Sequence, residues 1–476
     1  QIEQALALGG GRKLYEANKE FYTLLRYGVK DKENPNDKNK TVWLIDWKNV
    51  DKNEFYIAEE VTIKGQNTKR PDIVLYVNGI ALGILELKRS KVGVTEGIRQ
   101  NLDNQKATFI RDFFTTIQLV MAGNDSQGLR YGTIETTEKY YLGWKEENPD
   151  YNSKIDTRDK KYLNTLNCEC QGENISGVLD CDIIRLLNKK RFLELIHDFI
   201  VYDSGTKKTC RQNQYFGIKK AQEHIARREG GIIWHTQGSG KSLTMVWLAK
   251  WIRENVQKSR VLIITDRTEL DQQIEKVFTG VEEQIYRTKN GRDLIGVLND
   301  SKEWLICSLV HKFGTDDKKS NEATDEYIKE LQSMLPKDFS AKGELFVFVD
   351  ECHRTQSGQL HDAMKKILPN AMFIGFTGTP LLKSDKQKSI EVFGGYIHTY
   401  KFDEAVKDGV VLDLQYEARD IDQYIGNQKK IDEWFDLKTK DLTDIAKVQL
   451  KQKWGTMQKV LSSKQRLDLI VQDILL

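Results

Sequence analysis

Proline is scarce in this chain, with six residues among 476, so no Pro-rich linker marks a domain boundary. Cysteine is equally sparse at six, which makes no disulfide framework in a chain of this length. Cys168, Cys170 and Cys181 lie close together, but their spacing matches no standard zinc pattern. Reduced thiols and a cytoplasmic setting are therefore the expectation. No apolar run approaches the roughly 18–20 residues of a membrane span, and the N-terminus lacks a signal-peptide pattern. An excess of one charge is missing too. The net is only +3, so any nucleic-acid surface must be a local patch.

What is present is a globular composition, 39% apolar and 30% charged, long enough for two or three domains. Polar runs do the punctuating. Residues 30–40 read as an exposed loop and 144–164 as a charged connection, and there is no internal repeat. From Thr41 to about Thr133 short runs with β-branched and aromatic residues dominate, with one polar helical stretch after Lys91. From Gln214 onward, apolar runs of four to six residues alternate with helical patterns: Gly231–Trp234, Val261–Thr265, Leu305–Ser308, Leu345–Val349 and Met372–Phe376. Such buried runs separated by helices predict a parallel sheet covered on both faces. After about Val410 the texture turns helical and charged. The expected organisation is α/β multidomain, with segments 1–205, 206–410 and 411–476.

The second segment carries a phosphate-binding pattern. His235-Thr-Gln-Gly-Ser-Gly-Lys-Ser242 follows one apolar run and precedes a helix with Leu243, Val246 and Trp251 at helical spacing. Thr236, Gln237, Gly238, Ser239 and Gly240 form the loop. Its glycines let backbone N–H groups close on phosphates at a helix N-terminus. Lys241 is placed to reach the β/γ-phosphates and Ser242 to ligate Mg²⁺. The usual first glycine is His235 here. Asp350-Glu-Cys-His353 closes the run Leu345–Val349, at the strand end where an α/β sheet binds ligand. Asp350 would hold Mg²⁺ and Glu351 polarise the water attacking a γ-phosphate.

The first segment carries a different set. Arg70-Pro-Asp72 opens the run Ile73–Val77, Asn78-Gly79 is a hairpin turn signal, and Ile80–Lys88 runs back. Period-two alternation puts Glu86 and Lys88 on one face and Leu87 on the other. Two carboxylates that hold a divalent cation, with a lysine beside them, suit phosphodiester hydrolysis. Asp72, Glu86 and Lys88 supply that set, with the Leu87 carbonyl as a further metal ligand. On its own the pattern is short, and a surface hairpin with an exposed Glu–Lys pair fits it as well. Register gives a test. A plain two-residue Asn78-Gly79 loop sets Asp72 opposite Leu85, on the wrong face for Glu86. The site needs one residue of slip, either a three-residue loop with Gly79 left-handed or a bulge at Gly83.

The motifs resemble known families. The GSGKS loop, Asp350–His353 and Thr377-Gly-Thr-Pro380 together resemble motifs I, II and III of superfamily 2 helicases. Gln214, 27 residues before Lys241, is similar to the adenine-reading glutamine of that superfamily. Thr265–Gln272 resembles its motif Ia, and Ser308 with His311-Lys-Phe313 the next DNA-contacting motif. The stretch from Arg70 to Ser90 resembles the PD-(D/E)xK nuclease of type I restriction endonuclease R subunits, as do Leu44–Trp47 and Arg130–Thr133.

That resemblance implies a mixed α/β nuclease domain, a RecA-like motor domain and the start of a second motor lobe. It also implies ATP and Mg²⁺ as cofactors, double-stranded DNA as substrate, and methyltransferase and specificity subunits as partners. The expected activity is phosphodiester hydrolysis after ATP-driven translocation. One departure stands out. The family's Gln-x-x-x-Tyr element reads here as Gln100 followed by Asn104, so Gln100 is kept as a candidate and no tyrosine role transfers. A helicase–nuclease of DNA repair without a methyltransferase partner is the alternative. A non-catalytic module with decayed sites conflicts with intact Asp72, Glu86, Lys88, Lys241, Asp350 and Glu351. After Lys401 the only arginines are Arg419 and Arg466, too far apart for a Q-x-x-G-R-x-x-R motif. The expectation is therefore weak ATP·Mg²⁺ binding without brisk hydrolysis by these residues alone.

Overall fold

A computed structural model of the chain describes residues 12–31, 40–146, 177–265, 268–309, 339, 341–352, 364–365, 367–379, 393–414, 428–440, 442–454 and 464–475. The polar runs 30–40 and 144–164, Cys168, Cys170, Asp266, Arg267, His311-Lys-Phe313, His353, Pro380 and Arg419 lie wholly or partly outside these residues.

Strands β1 (Val29–Asp31) and β2 (Lys40–Val42) pair as a small antiparallel ribbon. The next six, β3 (Phe55–Glu59), β4 (Ile73–Val77), β5 (Ile80–Leu87), β6 (Leu119–Asn124), β7 (Gly128–Gly132) and β8 (Leu142–Gly143), form one sheet in sequential order. All its neighbours are antiparallel except β5 and β6. A parallel pair needs a crossover, and the helix Val94–Asn104 supplies it. Every residue of β6 is buried because both sheet faces are covered. Val74, Ile84 and Val120 pack with Ile98 of the crossover helix. Leu82, Leu85 and Met121 pack on the other side, in the same cluster as Phe21 and Leu25 of the helix Leu14–Tyr27.

A hairpin of β9 (Ile200–Asp203) and β10 (Thr206–Thr209) follows. It turns at Ser204 (φ 48°) and Gly205 (φ 87°), the left-handed pair that a two-residue hairpin favours. The expected boundary at 205 falls in this turn.

The remaining strands are β11 (Gly231–His235), β12 (Ser259–Thr265), β13 (Tyr286–Arg287), β14 (Leu305–Leu309), β15 (Glu344–Val349), β16 (Met372–Thr377) and β17 (Tyr396–Tyr400). They form a sheet ordered β13-β14-β12-β15-β16-β11-β17, with every pairing parallel. The five apolar runs in the sequence are five of these strands. Alternate residues feed opposite faces: Ile263, Phe346 and Phe348 join one core cluster, Leu262, Ile264 and Val347 the other. The first of these clusters also contains Leu85 and Met121 of the N-terminal sheet, together with Phe199 and Tyr215, whose ring centroids lie 5.0 Å apart. Both sheets accordingly lie in one compact unit, Gln1–Val411. The second unit, Leu412–Leu476, contains the helices Gln428–Lys438, Asp444–Trp454 and Lys464–Leu475.

Candidate nuclease and nucleotide sites

The hairpin register decides whether the carboxylates meet. Asn78 (φ 50°) and Gly79 (φ 77°) make a two-residue turn, pairing Val77 with Ile80 and Tyr76 with Ala81. The register then shifts. Leu75 pairs with Gly83 and Ile73 with Leu85, so Leu82 is an extra residue beside Gly83. The slip is present, and it takes the form of a bulge rather than a three-residue loop. One step beyond the ladder Asp72 stands level with Glu86, and Asp72 Oδ2 accepts a hydrogen bond from Leu87 N at 2.7 Å.

Around Glu86 the side chains form a short network. Glu86 is fully buried. Gln100 Nε2 donates to Glu86 Oε2 at 2.8 Å, while Gln100 Oε1 accepts from Lys88 Nζ at 2.8 Å. Lys88 Nζ lies 3.7 Å from Glu86 Oε2 and 3.3 Å from the Leu87 carbonyl. The glutamine thus bridges base and acid. Burial, and after it the neighbouring Asp72 carboxylate, pushes the Glu86 carboxyl up to about 8, with Lys88 pulling the other way. Two adjacent carboxylates with one lysine leave negative charge uncompensated when both ionise. Such an oxygen donor set fits a hard divalent cation.

Sequence reasoning missed one member. Asn104 is buried, and its Nδ2 lies 3.5 Å from Glu86 Oε1, at the position where the resembling family carries tyrosine. The available signal was its spacing, four residues past Gln100 on the same helix face. Gly97 explains how that helix sits so close. A Cβ there would meet Ala122 Cβ at 3.0 Å and the Glu86 carbonyl at 3.5 Å.

The nucleotide motifs converge at the C-terminal ends of β11, β15 and β16. Gly238 (φ 81°) and Gly240 (φ 92°) carry the loop through left-handed backbone, which favours glycine. Ser239 Oγ is tied to the Thr236 carbonyl at 2.5 Å, and Thr236 N donates to Tyr400 O, fixing the loop to β17. Lys241 Nζ stands 3.8 Å from Glu351 Oε1. A Cβ on Gly378 would lie 2.6 Å from that nitrogen and 3.4 Å from Gln237 N, so Gly378 packs directly on the loop. Gln214 Nε2 donates to the Gly240 carbonyl at 2.9 Å. Asp350 is buried, and Glu351, next to it in sequence, is held at φ 49°, an unusual conformation for a non-glycine residue and one that clusters at functional sites. Ser242 begins the helix Lys241–Asn255 as its second residue. His235, in the place of the first glycine, is buried against His398 at 2.7 Å. Desolvation holds its imidazole well below the usual range. Ser308 is also buried, accepting from Thr288 Oγ1 at 2.9 Å.

Residues 1–139 match the family described as Type I restriction enzyme R protein N terminus, and residues 213–448 match SWI2/SNF2 ATPase. The chain is 28% identical over 479 residues to the MjaIXP type I restriction enzyme endonuclease subunit of Methanocaldococcus jannaschii, covering 96% of this chain and 44% of that protein. It is 27% identical to the HindI endonuclease subunit of Haemophilus influenzae, covering 85% of this chain and 39% of that one. With the MjaVIIIP endonuclease subunit of M. jannaschii identity is 30%, over 81% and 37% respectively. The chain therefore spans less than half the length of these relatives. The similarity thus divides along the chain, residues 1–139 matching the N terminus of type I restriction enzyme R proteins and residues 213–448 a SWI2/SNF2 ATPase, with the endonuclease subunits aligned along most of its length.

Proposed function

We propose that this chain carries the cutter and the first motor lobe of an ATP-dependent restriction endonuclease subunit, which hydrolyses double-stranded DNA after ATP-driven translocation. The observation that carries the reading is the convergence of Asp72, Glu86 and Lys88. A bulge gives up ladder pairing in mid-strand, and here it supplies the register that the site requires.

Asp72, Glu86 and the Leu87 carbonyl would hold Mg²⁺, which when bound acidifies water and offsets charge developing on the phosphate. Lys88 orients the attacking water and offers its ammonium to a phosphate oxygen. Gln100 holds that lysine at 2.8 Å, against the 3.7 Å separating it from Glu86, and so keeps it from collapsing onto the carboxylate. In the nucleotide site the amides from Gln237 to Lys241 cradle the phosphates and Lys241 neutralises them. Gln214, whose amide is tied to the Gly240 carbonyl and to Arg211 N, would exchange one of these bonds to read the base. Ser242 and Asp350 would hold the nucleotide's magnesium, and Glu351 orients the water that attacks the γ-phosphate.

The designation of the relatives as endonuclease subunits of restriction enzymes supports restriction over DNA repair. It also supports partners, which we take to be the methyltransferase and specificity subunits that choose the DNA site. In the complete enzyme, Lys241→Ala should abolish both ATP hydrolysis and cutting, because cutting follows translocation. A Lys241→Ala enzyme that still turns over ATP at the wild-type rate contradicts the motor assignment.

A further inference from the structure

Arg130 opens a motif that neither candidate site uses. It lines a cavity of about 310 Å³ on the seam between the two sheets. The walls come from three places: the β7–β8 end of the N-terminal sheet, the start of the helix Gln212–Arg227, and the turn after the helix Phe402–Lys407. Five cationic side chains line it, Arg130, Lys139, Lys145, Arg211 and Lys407, against a single carboxylate, Asp408. That carboxylate is already engaged. Lys145 pairs with it at 3.2 Å, and Gln212 and the Tyr400 hydroxyl donate to it at 2.8 and 2.9 Å. Arg130 donates to the carbonyl of Leu129 at 3.1 Å and lies near enough to the Asp182 carboxylate to stabilise its charge, and Lys139 lies over the exposed Tyr140 ring at 4.8 Å.

Several like charges around one small cavity repel one another, and the chain as a whole is nearly neutral at +3. An anion of several charges relieves that repulsion. Position selects the anion. Glu86 pairs with Ala122, Ala122 with Arg130, and Arg130 with Gly143. Directly paired residues share a sheet face, so Arg130 stands on the same face as Glu86, two strands or about 10 Å away. The crossover helix lies over Ala122 between them. A polymer with phosphates at regular intervals can occupy both places at once, whereas a free nucleotide cannot.

We infer that the cavity ringed by Arg130, Lys139, Arg211 and Lys407 grips the phosphodiester backbone of duplex DNA beside the cutting site. The inference rests on the reading of this chain as a protein acting on duplex DNA. Its test is binding of the full chain to a short labelled duplex in EDTA, where neither ATP turnover nor cutting enters. Arg130→Ala and Lys139→Ala should each weaken binding on the order of tenfold and lower the slope of log affinity against log salt by about 0.9. Arg130→Lys should keep most of the slope. Lys139 is exposed, so its variant reports on charge without endangering the fold. ATP affinity should not change. Wild-type binding with unchanged affinity and slope in both alanine variants overturns the inference and leaves the proposed function standing. Loss of ATP affinity with duplex binding intact assigns the cavity to a nucleotide instead and also overturns it. A wild-type chain that binds no duplex sinks both readings.

Discussion

Glu86 has no contact with solvent and faces Asp72, Lys88, Gln100 and Asn104. Its carboxyl is raised from 4.5 to about 8, so the folded chain without metal binds a proton there that the unfolded chain releases. A raised folded value means stability that is present at low pH and is lost as pH climbs through about 8. Glu86→Gln keeps the shape and removes the charge. In thermal melts without divalent cation, the wild type should match or exceed the variant near pH 5 and fall behind it by several degrees near pH 8. Added Mg²⁺ should close the gap, since the cation takes the place of the proton. A gap that does not change with pH would show that Glu86 does not titrate as its surroundings demand.

Among the elements, the crossover helix Val94–Asn104 matters most to the candidate site, because Gln100 and Asn104 both reach Glu86 from it. Its close seat depends on Gly97. Gly97→Ala should push the helix off Ala122, cost about 1–3 kcal/mol of stability, and slow cutting on the order of 100-fold through misplaced Lys88 and Glu86. ATP turnover in the complete enzyme should persist; equal loss of both activities would point to general unfolding. The hairpin was largely legible beforehand. Asn78-Gly79 specifies the turn, and the need for Asp72 and Glu86 to share a face demands one residue of slip, present at Leu82 beside Gly83. Asn104 was legible only in part: its spacing from Gln100 sets it on the same helix face, but its approach to Glu86 depends on how that helix packs across a parallel strand pair.

For the whole molecule, alternating apolar runs and helical patterns predicted the parallel sheet, because strands buried on both faces must be almost continuously apolar. The shared core was invisible. Phe199 and Tyr215 touch each other within the cluster that contains residues of both sheets, and nothing in the sequence around them marks that shared role. The basic cavity was equally hidden, since Arg130, Arg211 and Lys407 are brought together only by the tertiary fold. We propose a cutter built on Asp72, Glu86 and Lys88 and supplied with DNA by a separate ATP-driven motor. Its most direct test is Lys88→Ala in the complete enzyme, with DNA cleavage and ATP hydrolysis measured on the same preparation. The predicted result is loss of cleavage with ATP hydrolysis at the wild-type rate. A Lys88→Ala enzyme that still cuts duplex DNA would contradict it.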